Sequence, residues 1–189
     1  MLKELMQEEY SGYRIYLAME QEYMARYRQL LASYGIDRVE MINIRSKAYL
    51  RALASCKYLV TDTSFPTYFI KKEGQVYLNT WHGTPLKAMG RIVPQREYAL
   101  GNVQRNFLIA DYLIYQNDFA KEAFLTDYMI KDIYRGEALV SGYPRNSVFF
   151  DSKRCIEIRR ELKLEDKQLI AYMPTWRGLL HKKETAKQL

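Results

Sequence analysis

Apolar positions along the chain fall into short runs between polar turns, and two periods alternate. Tyr13-Arg14-Ile15-Tyr16-Leu17 alternates, as a strand with one covered face does. From Glu20 to Ser33, Tyr23, Met24, Tyr27, Leu30 and Leu31 recur at helical spacing, and Gly35 stands where a helix stop is expected. Such a helix packs on a sheet; the rival reading lays it on a membrane surface, with Arg26 and Arg28 at its polar edge. Val39 to Ile44 alternates again, Ser46 is placed to cap a helix over Lys47 to Ser55, and Lys57 to Asp62 reads as the next strand. Lys71 to Gly74 is a charged turn before the short apolar run Val76-Tyr77-Leu78. A helix is predicted over Arg96 to Ala110, with Arg105 and Asn106 near its end. Gly101 inside it costs about 1 kcal/mol of helix propensity relative to Ala, which predicts a close contact at that glycine. Tyr112 to Tyr115 is a strand, Asp118 is expected to cap a helix over Phe119 to Tyr128, and Glu137 to Ser141 is a further strand. Ser152 to Leu164 is a charged helix, Gln168 to Met173 a last strand, and the basic tail from Leu179 is expected to fray. Alternating strands and helices of crossover length predict an α/β fold: a Rossmann-like parallel sheet with helices on both faces.

Hydrophobic residues make up 48% of the chain and charged residues 27%, a globular profile. The formal net charge of +7 points to an anionic partner: lipid, phosphate polymer, nucleotide or nucleic acid. The 17 tyrosines serve either as stacking platforms or as ordinary amphipathic packing. No RNA-binding motif accompanies them, so nucleic acid is not the expected partner. Cys56 and Cys155 match no metal or redox spacing and are expected as free thiols in a reducing compartment. There is no signal peptide and no apolar run near the length of a membrane span, so neither export by that route nor a spanning segment is expected. No Gly-rich phosphate loop, no Gly-x-Gly-x-x-Gly and no metal-spaced Asp/Glu/His cluster is present, so no metal site is expected.

The chemistry concentrates between Gln75 and Arg91. The strand Val76-Tyr77-Leu78 runs into Trp81-His82-Gly83-Thr84-Pro85, which places His82 at a strand's carboxyl end, where open α/β sheets bind ligands. Thr84-Pro85 has the grammar of an N-cap followed by a first helical residue, and a helix start there would favour anions. Lys87 adds positive charge. One imidazole, one anion-friendly turn and one lysine suggest phosphate chemistry; the plainer alternative is a core-facing histidine after a strand.

Trp81-His82-Gly83-Thr84-Pro85-Leu86-Lys87 also resembles the signature of the CDP-glycerol glycerophosphotransferases, which prime or polymerise the poly(glycerol phosphate) chains of teichoic acids. Lys57-Tyr58-Leu59-Val60-Thr61-Asp62, Gly142-Tyr143-Pro144-Arg145-Asn146 and Ala171-Tyr172-Met173-Pro174-Thr175-Trp176-Arg177 resemble that family's accompanying segments, in the same order and spacing. The similarity runs from about residue 40 to about residue 178 and departs at Ser147, where the family more often has Asp.

The resemblance implies the amino-terminal half of a glycosyltransferase-B-type architecture, with residues 1–165 as the acceptor-side domain and 166–189 as the first strand and loop of a donor domain. It implies transfer of glycerol phosphate from CDP-glycerol to a glycerol-phosphate polymer or lipid-linked acceptor, with release of CMP and no further cofactor. His82 would be the general base. Gly83, Thr84, Lys87, Arg145, Asn146, Thr175 and Arg177 would hold phosphate or substrate, while Trp81 and Trp176 read first as packing. The family's second functional histidine lies in the donor domain; His181 follows the Trp-Arg segment too soon to take its role. The remaining donor domain is expected in the same or another chain, and the 189 residues alone are not expected to turn over. A cytoplasmic location on the anionic inner face of the membrane is expected. Two other classes stay open: a non-catalytic polymer- or lipid-binding module, and a sugar-nucleotide glycosyltransferase of the same fold.

Overall fold

The structure, a computed structural model, describes residues 2–93 and 100–173. Its elements are β1 (Ile15–Met19), α1 (Gln21–Ser33), β2 (Val39–Asn43), α2 (Lys47–Ser55), β3 (Tyr58–Thr61), β4 (Val76–Asn79), α3 (Gly101–Ile109), β5 (Tyr112–Tyr115), α4 (Asp118–Asp127), β6 (Glu137–Val140) and α5 (Ser152–Glu161). All strand pairs are parallel, so the α/β class expected from the alternating periods is present. The strands form two sheets, however. β1 and β2 pair with each other, and β3-β4-β5-β6 run side by side in chain order.

The chain divides into two compact units, Met1–Asn146 and Ser147–Leu189. In the first, the core is dominated by aromatic and branched side chains, with Tyr77, Phe107, Phe124, Leu113 and Ile130 fully buried. Local signals set several boundaries. Ser46 caps α2, its Oγ accepting from Tyr49 N at 3.2 Å. Gly35, at φ +66°, closes α1: its N–H bonds to Ala32 O, and Ile36 N reaches back to Leu31 O. The N-cap of α4 is Asn117, not Asp118. Asn117 Oδ1 accepts from Ala120 N at 2.8 Å, which puts Asp118 inside the first turn. The expected start of the third helix at Arg96 lies outside the described residues. Among the described residues nothing lies within 4 Å of where a Cβ on Gly101 would stand, and none of them makes the close contact predicted there.

β3 and β4 are joined by residues 62–75 without a helix. Phe65 and Phe69 of this connection are buried, and side chains of α3 take the main-chain oxygens of Phe65, Pro66 and Phe69. Arg105 of α3 donates to Phe69 O at 2.5 Å and to Pro66 O at 2.9 Å. Asn102 Nδ2 donates to Phe65 O at 3.0 Å. A buried loop without such partners would strand its polar groups in the core.

In the second unit, Asp151 caps α5, with its Oδ1 accepting from Arg154 N at 3.0 Å, and the helix ends at Glu161. The strand expected over Gln168 to Met173 does not form; Ile170 is 88% exposed. A parallel strand has no ladder of its own, and among the described residues none pairs with this segment.

Candidate active site

β4 ends at Asn79, and the turn that follows is forced by Trp81, which sits at φ +48°. Left-handed backbone at a bulky residue is strained and persists only where the surroundings impose it. Here the indole packs edge-on to Phe107 (5.2 Å), Phe124 (5.6 Å) and Tyr128 (6.4 Å), and Trp81 N donates to Asn79 Oδ1 at 2.8 Å. Packing is therefore what Trp81 does, as the sequence suggests. The turn presents His82 to solvent, stacked on the indole at 4.3 Å. This exposure sets aside the alternative of a core histidine.

His82 Nδ1 lies 2.7 Å from the main-chain oxygen of Asp62, at the carboxyl end of β3. A carbonyl only accepts, so Nδ1 carries the hydrogen, and in the neutral ring Nε2 keeps its lone pair. The partner is the Asp62 carbonyl rather than its carboxylate. The ring is oriented without a buried counter-charge.

The helix expected after Thr84-Pro85 is absent. Leu86 N donates to Thr84 O at 2.8 Å, and Thr84 Oγ1 accepts from Gln116 Nε2 at the carboxyl end of β5. The hydroxyl that would cap a helix is taken by a tertiary partner, and no helix starts at Thr84. Positive charge comes instead from side chains. Arg145 Nη1 donates to His82 O at 2.9 Å, and its guanidinium lies 4.7 Å over the Tyr143 ring. Tyr143 Oη donates to Gly83 O at 3.0 Å, and Asn146 N donates to Tyr143 O at 2.9 Å. Burial pushes the Tyr143 phenol up, opposed by Arg145 and by the bond to Gly83, so it stays a neutral donor at ordinary pH.

His82 and Gly83 thus meet Arg145 and Tyr143 from two segments about sixty residues apart in sequence, while Thr84 and Asn146 follow in the same two segments, bonded to Gln116 and to Tyr143 O. Lys87 stands exposed on the same loop. Thr175 and Arg177, with Trp176, lie outside the described residues. Gln116, in the polar triplet closing β5, was not singled out from the sequence. Asp62 and Tyr143 lie in segments that the family resemblance does mark, although the Asp62 main-chain oxygen itself carries no residue-type signal.

A family model for CDP-glycerol:poly(glycerophosphate) glycerophosphotransferase matches residues 1–189. The chain belongs to this glycerophosphotransferase family. Relatives include the teichoic acid poly(glycerol phosphate) polymerase of Staphylococcus epidermidis, 33% identical over 175 residues that cover 83% of this chain and 24% of that protein. The corresponding polymerase of Bacillus subtilis is 30% identical over 185 residues, covering 92% of this chain and 23% of that one. The teichoic acid glycerol-phosphate transferase of Staphylococcus aureus is 26% identical over 169 residues, covering 80% of this chain and 40% of that one. Among solved structures, the wall teichoic acid polymerase TagF is similar at a TM-score of 0.71 and 28% identity, with 93% of this chain and 43% of that chain covered. A TagF variant soaked with CDPG is similar at the same TM-score and 29% identity. The glycosyltransferase-B-type reading of the sequence agrees with this likeness. The chain spans less than half the length of each of these relatives.

Proposed function

We propose that this glycerophosphotransferase segment carries the acceptor side of an enzyme that moves glycerol phosphate from CDP-glycerol to a glycerol-phosphate or teichoic acid acceptor. A terminal acceptor hydroxyl attacks the β-phosphorus of CDP-glycerol. The new phosphorus–oxygen bond forms as the bond to the CMP oxygen breaks, CMP leaves, and the hydroxyl proton passes to His82 Nε2. The single observation that carries this is the bond from His82 Nδ1 to the Asp62 carbonyl, which turns the basic nitrogen outward. A positioned base contributes about 10²–10⁴-fold, and the rest falls to orientation and charge neutralisation. Arg145 and Lys87 are the phosphate contacts within the described residues. Arg145 is also structural, since part of its guanidinium already holds His82 O. In this reading residues 1–165 take the acceptor, and 166–189, with Thr175 and Arg177, open the donor side.

The test is CMP release from CDP-glycerol by the full-length gene product, supplied with a glycerol-phosphate-primed acceptor. His82→Ala should lower turnover at least about a hundredfold while the circular dichroism spectrum is kept. Turnover within a few-fold of wild type removes His82 from the mechanism.

Attachment to the anionic inner leaflet is part of the same proposal. No helix among the described residues is long and apolar enough to cross a membrane. Tyr23, Tyr27, Leu30 and Tyr34 stand exposed along α1 and its cap at helical spacing, and the net charge is +7. An exposed aromatic stripe on a basic protein suits the headgroup region.

A further inference from the structure

One buried side chain grips the main chain beside both partners of the His82 contact. Asn79, 1% exposed, closes β4. Its Nδ2 donates to Thr63 O at 2.8 Å and to Tyr77 Oη at 2.9 Å, and its Oδ1 accepts from Trp81 N at 2.8 Å. Thr63 adjoins Asp62, and Trp81 adjoins His82. The main-chain partners also fix which way the amide points, because an N–H must donate and a carbonyl must accept.

A second amide backs the first. Tyr77 Oη donates to Asn106 Oδ1 at 3.0 Å, and the same oxygen accepts from Phe65 N at 2.8 Å. Asn106 Nδ2 donates to Phe65 O at 3.1 Å and to Asn102 O at 2.8 Å. Asn106 and Tyr77 are both fully buried. The hydrogen bonds therefore run in one chain from Asn79 through Tyr77 and Asn106 to Phe65, and they polarise one another in the same sense. The loop that carries the Asp62 carbonyl is pinned at Thr63 and again at Phe65.

We propose that Asn79 is a positioning residue. It fixes the distance between the Asp62 carbonyl and the His82 ring, and so selects the Nδ1–H tautomer that leaves Nε2 as the base. An exposed imidazole with no fixed neighbour samples both tautomers. A carbonyl held at 2.7 Å from Nδ1 selects one. Asn79 acts through this contact and itself touches no substrate. The catalytic consequence rests on the reading of His82 as general base, whereas the tautomer is a property of the resting protein. If Asn79 only satisfied core hydrogen bonds, its loss would lower stability and leave the tautomer unchanged.

The tautomer is read directly from long-range proton–nitrogen spectra of ¹⁵N-histidine-labelled protein, at a pH where imidazole is neutral. The chain has two histidines, so His181→Gln assigns the signals. Wild type is expected in the Nδ1–H form. Asn79→Ser and Asn79→Ala, with folding verified by circular dichroism, should move His82 to a mixture in which the Nε2–H form is prominent. In turnover by the full-length gene product, the same substitutions should lower kcat by about tenfold or more with little change in KM for CDP-glycerol, as a misplaced base does. A wild-type spectrum in the Nε2–H form overturns the proposal whatever the variants do, and so does a folded Asn79 variant that keeps the Nδ1–H form. The two readings fail separately. An Nε2–H wild type whose His82→Ala variant is inactive removes the positioning role alone; an Nδ1–H wild type whose His82→Ala variant keeps full turnover removes the base alone.

Discussion

Gly90 and Gly35 share a backbone conformation and differ in surroundings, which makes them a matched pair. Their φ angles are +61° and +66°. A Cβ on Gly35 would meet nothing within 4 Å, whereas a Cβ on Gly90 would stand 2.2 Å from the main-chain oxygen of Asp127 and 2.6 Å from its carbonyl carbon. Asp127 is the last residue of α4. It cannot retreat freely, because the next turn is tied back by Tyr128 N to Phe124 O and by Ile130 N to Leu125 O, with Ile130 and Phe124 in the core. Replacing either glycine by alanine costs about 1–2 kcal/mol for left-handed backbone at a residue with a Cβ, and the entropy change of the unfolded chain is common to both. Only Gly90→Ala adds overpacking, about 1–3 kcal/mol. We expect Gly35→Ala to lose about 1–2 kcal/mol and Gly90→Ala about 2–5 kcal/mol. With an urea dependence of about 1–3 kcal/mol per molar, the two midpoints should differ by roughly 1 M. Equilibrium urea unfolding followed by tryptophan fluorescence measures this, since Trp81 packs against Phe107 and Phe124. Equal losses at the two sites would refute the reasoning, because the clash with α4 would then carry no energy.

Vesicles containing anionic lipid should bind the protein, and salt should release it as it screens the charge; binding indifferent to both salt and lipid charge would remove the inner-leaflet proposal. The thiols should also separate. Burial raises the Cys56 thiol, against a smaller lowering by Arg14, so at pH 8 less of it is thiolate. Cys155 is exposed and should be alkylated first by iodoacetamide, read by peptide mass spectrometry; equal rates would mean that Cys56 is not protected.

Where a signal was local and matched its surroundings, the sequence was enough. Lys47 to Ser55 and Tyr112 to Tyr115 have the limits read from their caps and apolar borders. Where two local signals competed or a distant partner intervened, reading alone failed. Asn117 and Asp118 are both good caps, and the geometry of Ala120 N decided between them. Thr84-Pro85 has the grammar of a helix start, yet Gln116, 32 residues away, occupies the hydroxyl. Gln168 to Met173 has the composition of a strand and, among the described residues, no strand to pair with. In the candidate site, His82 and Arg145 stood out by residue type and motif. The groups that hold them did not. Asn79 looks like a blemish at the end of an apolar run and Asn106 like a polar residue inside a helix, and no spacing rule links 79 to 63 or 106 to 65.

The connection between β3 and β4 is gripped by its peptide groups. Asn79, Asn102, Arg105 and Asn106 hold the main-chain atoms of Thr63, Phe65, Pro66 and Phe69, and every residue type supplies those atoms. The holders and the held therefore differ in their freedom to vary. Thr67 and Tyr68 are exposed on the loop and can drift in the course of evolution without shifting the Asp62 carbonyl. The exposed part of the loop can be rewritten while the histidine keeps its partner. That division of labour lodges inheritance of the geometry in a few amides and one guanidinium below the surface, and leaves the rim open to change.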